Sequence, residues 1–215
     1  MSVAARRPRP APVYAIADVE RLGGESAGDA VVAMADSGIG TIQVRAKRLA
    51  DESLAALCET LMSRLAGWRG GLWIDDRVDV AMAYGFSGVH LGQRDLPPGA
   101  ARGLLRHEQA IGWSTHDSGQ LAAGDHDAAV DWLALGPIFP TASKEQPDPV
   151  VGLEALARGR AATTKPLVAI GGIDEHNIAA VLANGADSAA VLSAICRGDV
   201  AANCRRLLRA AGGAA

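Results

Sequence analysis

The sequence predicts an α/β protein that forms a single (β/α)8 TIM barrel. Short apolar runs alternate with longer amphipathic stretches along the chain, and this pair recurs roughly every 25 residues. About eight such pairs fit into the 215 residues, which is typical of parallel strands enclosed by helices. A doubly wound open sheet is the competing fold. Its glycine-rich turn should follow the first strand, where Asp18 stands instead.

Each predicted strand is a short apolar run that ends at polar residues or at glycine. In chain order, the predicted strands cover residues 13–17, 41–45, 72–74, 88–91, 110–113, 132–135, 167–170 and 188–192. Helix signals fall between them. Asp51 can cap the second helix and Gly67 can end it, whereas Pro97 and Pro98 suit the first turn of the fourth.

Composition and charge exclude several classes of protein. The chain is 49% hydrophobic and 21% charged with a net charge of -3, which argues against a broad nucleic-acid surface. It lacks an uncharged apolar run of about 18 residues, so we expect no membrane span. The 3 cysteines show no C-x-x-C spacing and form no Cys/His cluster. They therefore predict reduced thiols, a cytoplasmic location and no structural zinc.

The domain organisation follows from the absence of any shift in composition along the body of the chain. We assign residues 13–210 to one barrel domain. Residues 1–12 are rich in arginine and proline and precede no secretory-type apolar segment, so we assign them to a flexible N-terminal arm.

The second predicted strand ends in a cluster of polar side chains. Strand residues alternate between faces, so Gln43, Arg45 and Lys47 share one face while Val44 and Ala46 point toward the outer helices. In a barrel of this kind, functional groups gather at the carboxyl ends of the strands. Because an unpaired buried pair of cations is costly, the cluster predicts an anion site. A solvated pair of loop charges is the alternative.

Carboxylates follow the next two strands. Asp75 and Asp76 end the third strand and Asp95 comes shortly after the fourth. Neighbouring strands lie about 4.8 Å apart, so these side chains can meet. They fit either salt bridges to nearby arginines and lysines or a hard cation such as Mg²⁺, which one or two carboxylates hold together with substrate phosphates. The residues alone leave both interpretations open.

The last three strands end in groups that suit phosphate. Thr141, Ser143 and Lys144 lie in a long loop after the sixth strand, which is either a lid or a proline-rich surface turn. Gly172 and Ser193 follow the seventh and eighth strands, where backbone N–H groups commonly bind phosphate in this fold.

Two histidines and one tryptophan near the strand ends are harder to place. His90 lies within an apolar strand and is predicted to be a core histidine. Trp113 suits either core packing or stacking on a ligand ring, and the role of His116 stays open.

These motifs together resemble the thiamine phosphate synthase family of (β/α)8 barrels. The resemblance runs from Tyr14 to Ile195. Its motifs are residues 43–47, 75–79, 88–95, 112–116, 136–144 and 168–173, in the same order along the chain.

The resemblance implies a Mg²⁺-dependent transferase of thiamine biosynthesis. The family joins 4-amino-2-methyl-5-hydroxymethylpyrimidine diphosphate to thiazole phosphate and releases pyrophosphate by a dissociative displacement. The implied partners are two phosphorylated small molecules, without nucleic acid or membrane, and a homodimer is left open. A thiazole tautomerase, a non-catalytic barrel that binds a phosphorylated ligand and another phosphosugar enzyme are the alternatives.

The resemblance also implies a role for individual residues. The pyrimidine diphosphate would contact Gln43, Arg45, Lys47, Asp75, Ser114 and Lys144, of which Arg45, Lys47, Ser114 and Lys144 would be catalytic. The thiazole phosphate would contact Thr141, Ser143, Gly172, Leu192 and Ser193, and Mg²⁺ would bind Asp76 and Asp95.

Two positions depart from the family pattern. The family usually has Asn where this chain has Asp75, and a carboxylate beside a diphosphate is repulsive unless a metal or Arg77 neutralises it. Ser143 stands where Thr is usual, which keeps the hydroxyl group.

Overall fold

Parallel strands close into a barrel in the computed structural model, which describes residues 7–143 and 148–212. Within those ranges the strands are β1 Val13–Asp18, β2 Thr41–Arg45, β3 Gly71–Asp75, β4 Gly88–Leu91, β5 Ala110–Thr115, β6 Trp132–Leu135, β7 Leu167–Ile170 and β8 Ser188–Val191. β1 pairs with both β2 and β8. The predicted barrel is therefore confirmed and the open sheet is excluded.

A helix follows each strand and covers the outside of the barrel. The helices are α1 Ala27–Asp36, α2 Asp51–Arg64, α3 Val78–Tyr84, α4 Pro98–Leu104, α5 Ser118–His126, α6 Gly152–Ala162, α7 Ile178–Ala183 and α8 Val200–Ala210. Across the described ranges, no helix has the length and hydrophobicity needed to cross a membrane.

The helix signals predicted from the sequence hold at α4 but not at α2, which ends at Arg64 with Leu65 as its C-cap rather than at Gly67. Pro98 occupies the first turn of α4, as predicted. The predicted cap at Asp51 is wrong, because α2 begins at Asp51 itself and Ala50 precedes it without a side-chain cap. Asp51 lies in the first turn, where a negative charge favours the helix dipole, and it pairs with Arg77.

The barrel interior is filled by aromatic rings that fit against glycines. Trp73 and Trp132 are fully buried, with ring centroids 5.5 Å apart in an edge-to-face arrangement. Gly112 on the strand next to Trp132 lacks a side chain, and a Cβ there would lie 2.1 Å from Cζ2 of that indole. Gly88 bears the same relation to Trp73, at 2.6 Å from Cζ3. The two large rings therefore need glycine on the adjacent strand.

The segment before β1 contacts the barrel. Pro12 accepts a hydrogen bond from the Ala189 amide at 2.9 Å, and the Ala11 amide donates to the Thr41 hydroxyl at 2.7 Å. The Arg7 guanidinium pairs with Asp131 at 2.8 Å. Residues 7–12, assigned to a flexible arm from the sequence, are thus in contact with the barrel. The division into arm and barrel domain stays a prediction.

The three cysteines carry free, buried thiols. Burial raises the pKa of Cys58 and Cys196 to about 11 and that of Cys204 to about 12. A thiol with such a pKa is almost wholly protonated near neutral pH and reacts slowly. This chemistry agrees with the expected absence of disulfides, and the cytoplasmic location inferred from it stays a prediction.

Candidate active site

The polar face predicted for β2 turns toward the inside of the barrel and its mouth. The Gln43 amide donates to the buried Tyr14 hydroxyl at 2.9 Å, and Arg45 and Lys47 contact carboxylates of neighbouring strands. Val44 packs in the apolar layer between strands and helices. The alternation of β2 therefore delivers an amide and two cations to one end of the barrel.

Arg45 lies between two carboxylates. Its Nη1 atom donates to Oδ2 of Asp18 at 2.5 Å, and its Nε atom lies 3.6 Å from Oδ2 of Asp75. Asp18 was not among the predicted site residues. The sequence signal that could have identified it is a charged residue at the end of an apolar strand. The pairing of β1 with β2 places Arg45 opposite Asp18.

Lys47 bridges Asp75 and Asp76. Its ammonium group lies 3.2 Å from Oδ2 of Asp75 and contacts the Asp76 carboxylate. Burial lowers the pKa of Lys47, but these two carboxylates outweigh burial and leave the pKa above its ordinary value. Asp76 has a φ of 60°, a left-handed conformation that Asp tolerates better than most residues. Its amide is held by the His90 carbonyl at 2.9 Å.

The carboxylates at this end interact with one another. Burial and the charge of Asp75 raise the pKa of Asp76 to about 6 despite the Lys47 ammonium, and Asp95 adds to the rise. The ends of β3 and β4 meet through the Asp76 amide and the His90 carbonyl, while the Asp95 carboxylate accepts a hydrogen bond from the Gly92 amide of its own loop at 2.7 Å. Arg77 does not supply the neutralising charge considered for Asp75, because it binds Asp51 and Asp79 at 2.7 and 2.6 Å.

We call the six charged side chains here the charged rim: Asp18, Arg45, Lys47, Asp75, Asp76 and Asp95. Carboxylates outnumber cations in this set, and such an excess of negative charge favours a bound cation. Over the described part of the chain, no group of three or more His, Cys, Asp or Glu residues is arranged to hold a metal ion.

Ser114 lies inward of the charged rim and is held by two neighbours. Its Oγ atom lies 2.8 Å from Nε2 of His90. Its backbone carbonyl accepts a hydrogen bond from the side-chain amide (Nε2) of Gln93 at 2.6 Å. The His90 ring stacks on Trp132 with centroids 4.9 Å apart. His90 is thus buried as predicted, but it also borders the site, which the sequence analysis missed.

Hydroxyl groups meet where the loop after β6 approaches the end of β8. The Oγ atoms of Ser143 and Ser193 lie 2.9 Å apart, and the Thr141 hydroxyl donates to Ser143 at 3.2 Å. Leu192, just past β8, packs on the apolar cluster inside the barrel. The loop after β6 and the end of β8 therefore form one polar pocket wall, although 50 residues separate the two serines.

The loop after β6 also packs on the end of β7. The Ile138 amide donates to the Ile170 carbonyl at 2.8 Å, and the Phe139 amide donates to that of Gly171 at 3.0 Å. Gly172 has a φ of 65°, and a Cβ there would lie 2.6 Å from the Pro140 carbonyl oxygen. Gly172 is therefore required both by its backbone conformation and by this close approach.

The remaining residues singled out from the sequence fall in three places. Trp113 packs against the apolar core. His116 donates from Nδ1 to the Gly136 carbonyl at 2.8 Å, and the same atom lies 3.5 Å from Asp148. Lys144 lies outside the described residues.

Comparison with known proteins gives one consistent result. Residues 13–195 match the family model described as thiamine monophosphate synthase. The thiamine-phosphate synthase of Albidiferax ferrireducens is 43% identical over 184 residues, which cover 86% of this chain and 84% of that protein. The protein of that name from Methanoculleus marisnigri is 42% identical over 200 residues, covering 91% and 92%. The structure of thiamine phosphate pyrophosphorylase from Pyrococcus furiosus superposes with a TM-score of 0.83 at 30% identity, covering 93% of this chain and 95% of the other.

Proposed function

Because this chain belongs to the thiamine monophosphate synthase family, we propose that it condenses 4-amino-2-methyl-5-hydroxymethylpyrimidine diphosphate with thiazole phosphate, releasing pyrophosphate. It is a transferase that makes thiamine phosphate. The observation that supports the finer proposal is that the charged rim and the Ser143–Ser193 hydroxyl pair both lie at the carboxyl ends of the barrel strands. Two phosphorylated substrates thereby find separate sites at one opening.

The charged rim suits the departing diphosphate. Breaking the C–O bond leaves its electron pair on the pyrophosphate oxygen, so negative charge develops there. Arg45 and Lys47 lie where they can stabilise that charge. The aminopyrimidine delocalises the resulting cation, and the lone pair of the thiazole nitrogen forms the new C–N bond. No covalent nucleophile is needed, so Ser114 and Gln43 serve to orient the pyrimidine.

The hydroxyl groups after β6 and β8 suit the thiazole phosphate. Thr141, Ser143 and Ser193 offer hydroxyl groups, and Gly172 and Leu192 offer backbone amides at the ends of β7 and β8. Phosphate commonly binds at this end of such barrels. This site holds the second substrate so that its nitrogen faces the carbon that loses the diphosphate.

Asp76 and Asp95 fit a magnesium ion. Burial, and after it the charges of Asp75 and Asp95, raise the pKa of Asp76 to about 6 against the effect of Lys47, which supports a bound cation here. A bound Mg²⁺ supplies charge neutralisation to the diphosphate. Asp76 and Asp95 would hold it together with the substrate phosphates.

A pyrophosphate-release assay with both substrates tests this function. We expect release only when both substrates and MgCl₂ are present, and we expect EDTA to abolish it. Conversion of the thiazole tautomer without Mg²⁺ or the pyrimidine would support the tautomerase instead. Thermal stabilisation by the substrates without release would support a non-catalytic binding barrel.

Replacing Asp75 with asparagine retains or raises turnover. The carboxylate contributes repulsion toward a diphosphate, while the asparagine amide keeps an oxygen for Lys47, which lies 3.2 Å from Asp75. The rate of pyrophosphate release measures the effect, with Asp79→Asn as a control because Asp79 binds Arg77 on the surface. A loss above about tenfold, a size typical of losing a transition-state contact, would show that Asp75 has its own role.

A further inference from the structure

We propose that Asp18 is a positioning residue that holds Arg45 in the orientation that binds the diphosphate. The inference rests on the proposed function for the identity of the substrate, but its geometry stands on contacts within the chain. Asp18 ends β1 directly opposite Arg45 of β2.

The Asp18 carboxylate is itself fixed on both sides. Its side chain is only 4% exposed. Oδ1 accepts a hydrogen bond from the Arg21 amide at 3.0 Å, while Oδ2 accepts the bond from Nη1 of Arg45. Because the backbone at Arg21 anchors one oxygen, the other oxygen restricts the arginine side chain to one orientation.

The contacts of Arg45 leave part of the guanidinium for a ligand. A guanidinium carries five N–H donors in a fixed plane. Contacts with the described residues involve Nη1, toward Asp18, and Nε, toward Asp75. Among the described residues none contacts Nη2, so the proposal assigns this atom to the anion, in a plane that the bond to Asp18 sets.

Asp18 and Asp75 are unequal neighbours of Arg45. Asp18 forms a hydrogen bond at 2.5 Å, whereas Asp75 lies 3.6 Å from Nε and closer to Lys47. Removing the charge of Asp18 has two opposed effects on an anion. It lowers repulsion, which tightens binding, and it frees Arg45, which weakens binding. A positioning role predicts that the second effect is larger.

Calorimetric titration with inorganic pyrophosphate in the presence of MgCl₂ separates these effects. We expect Asp18→Asn to weaken pyrophosphate binding roughly fivefold to tenfold, as expected when a long side chain must be ordered on binding. Asp199→Asn is the matched control, because Asp199 also accepts an amide three residues later, at 2.9 Å from Ala202. Its affinity should stay within about twofold. Unchanged or tighter binding by Asp18→Asn would overturn the proposal.

A second measurement asks whether Asp18 acts through Arg45. In an Arg45→Ala background, adding Asp18→Asn should no longer weaken pyrophosphate binding, because the group it positions is gone and only the loss of repulsion remains. A full effect in that background would mean that Asp18 acts by another route, and would also overturn the proposal. Asp18→Ser, which keeps a short acceptor for the Arg21 amide, repeats the test should Asp18→Asn not fold.

Steady-state kinetics add a readout that a merely structural residue would not give. We expect Asp18→Asn to raise KM for the pyrimidine diphosphate and leave KM for thiazole phosphate unchanged. An equal rise for both substrates would contradict a role confined to Arg45. If the wild-type protein showed no turnover, the proposed function would fail, and the pyrophosphate titration would still decide the role of Asp18.

Discussion

Replacing Arg45 with alanine lowers turnover by at least about a hundredfold, the loss typical of removing one donor to developing charge. The guanidinium lies beside Asp18 and Asp75 at the carboxyl ends of the strands, where the proposed reaction places the departing diphosphate. Because the diphosphate is already charged when it binds and gains further charge in the transition state, we expect KM for the pyrimidine diphosphate to rise and kcat to fall. Pyrophosphate release under saturating substrates measures kcat directly.

The control for Arg45→Ala is a substitution of an arginine that forms an ion pair but lies outside the candidate active site. Arg64 at the end of α2 pairs with Asp29 on the surface, so Arg64→Ala should leave kcat within about twofold of wild type. A rise in KM alone for Arg45→Ala would show that Arg45 binds ground state and transition state equally. A kcat within threefold of wild type would remove it from the mechanism.

Replacing Gly112 with alanine destabilises the fold by about 3 kcal/mol, at the upper end of the usual cost of overpacking a core. The new methyl group would lie 2.1–2.4 Å from three atoms of the Trp132 ring, which is buried and packed on its other sides by Tyr14, Trp73 and His90. In a chain of this size, that loss lowers the thermal midpoint by roughly 6–12 °C. Thermal and urea unfolding measure it.

The chain offers a matched control for Gly112. Gly103 lies within α4 with open space around its Cβ position, so Gly103→Ala should be neutral or stabilising by up to about 1 kcal/mol. Combining Gly112→Ala with Trp132→Leu should cost clearly less than the sum of the two single changes, because the smaller side chain admits the methyl group. Strict additivity would mean that the Gly112–Trp132 contact is not the source of the loss.

The strands of the barrel could be predicted from sequence because each is a short apolar run next to a turn signal. The prediction placed the polar side of β2 correctly, since alternation fixes which residues share a face. It did not find Asp18 as a partner of Arg45, because that contact depends on the register of β1 against β2, which places Asp18 opposite Arg45. The register is set by how the two strands pack, and the charged residue at the end of β1 does not by itself reveal it.

Two other differences have local physical causes. Asp51 suits both the cap position and the first turn, since a carboxylate is favourable at either place at the amino end of a helix. In the structure it lies in the first turn. His90 was interpreted as a core residue because its strand is apolar. In a barrel, however, the inward side chains of a strand pack in the core near its start and border the ligand site near its end. A buried histidine such as His90 can therefore contact Ser114. The position of Thr141, Ser143 and Ser193 after strands indicated phosphate, and only the family resemblance assigned them to the thiazole phosphate.

The aromatic rings inside the barrel make its reaction chamber blind-ended. Tyr14, Trp73 and Trp132 are each at most 1% exposed, so their rings fill the barrel interior. In the proposed reaction, both substrates therefore enter and both products leave at the same end of the barrel.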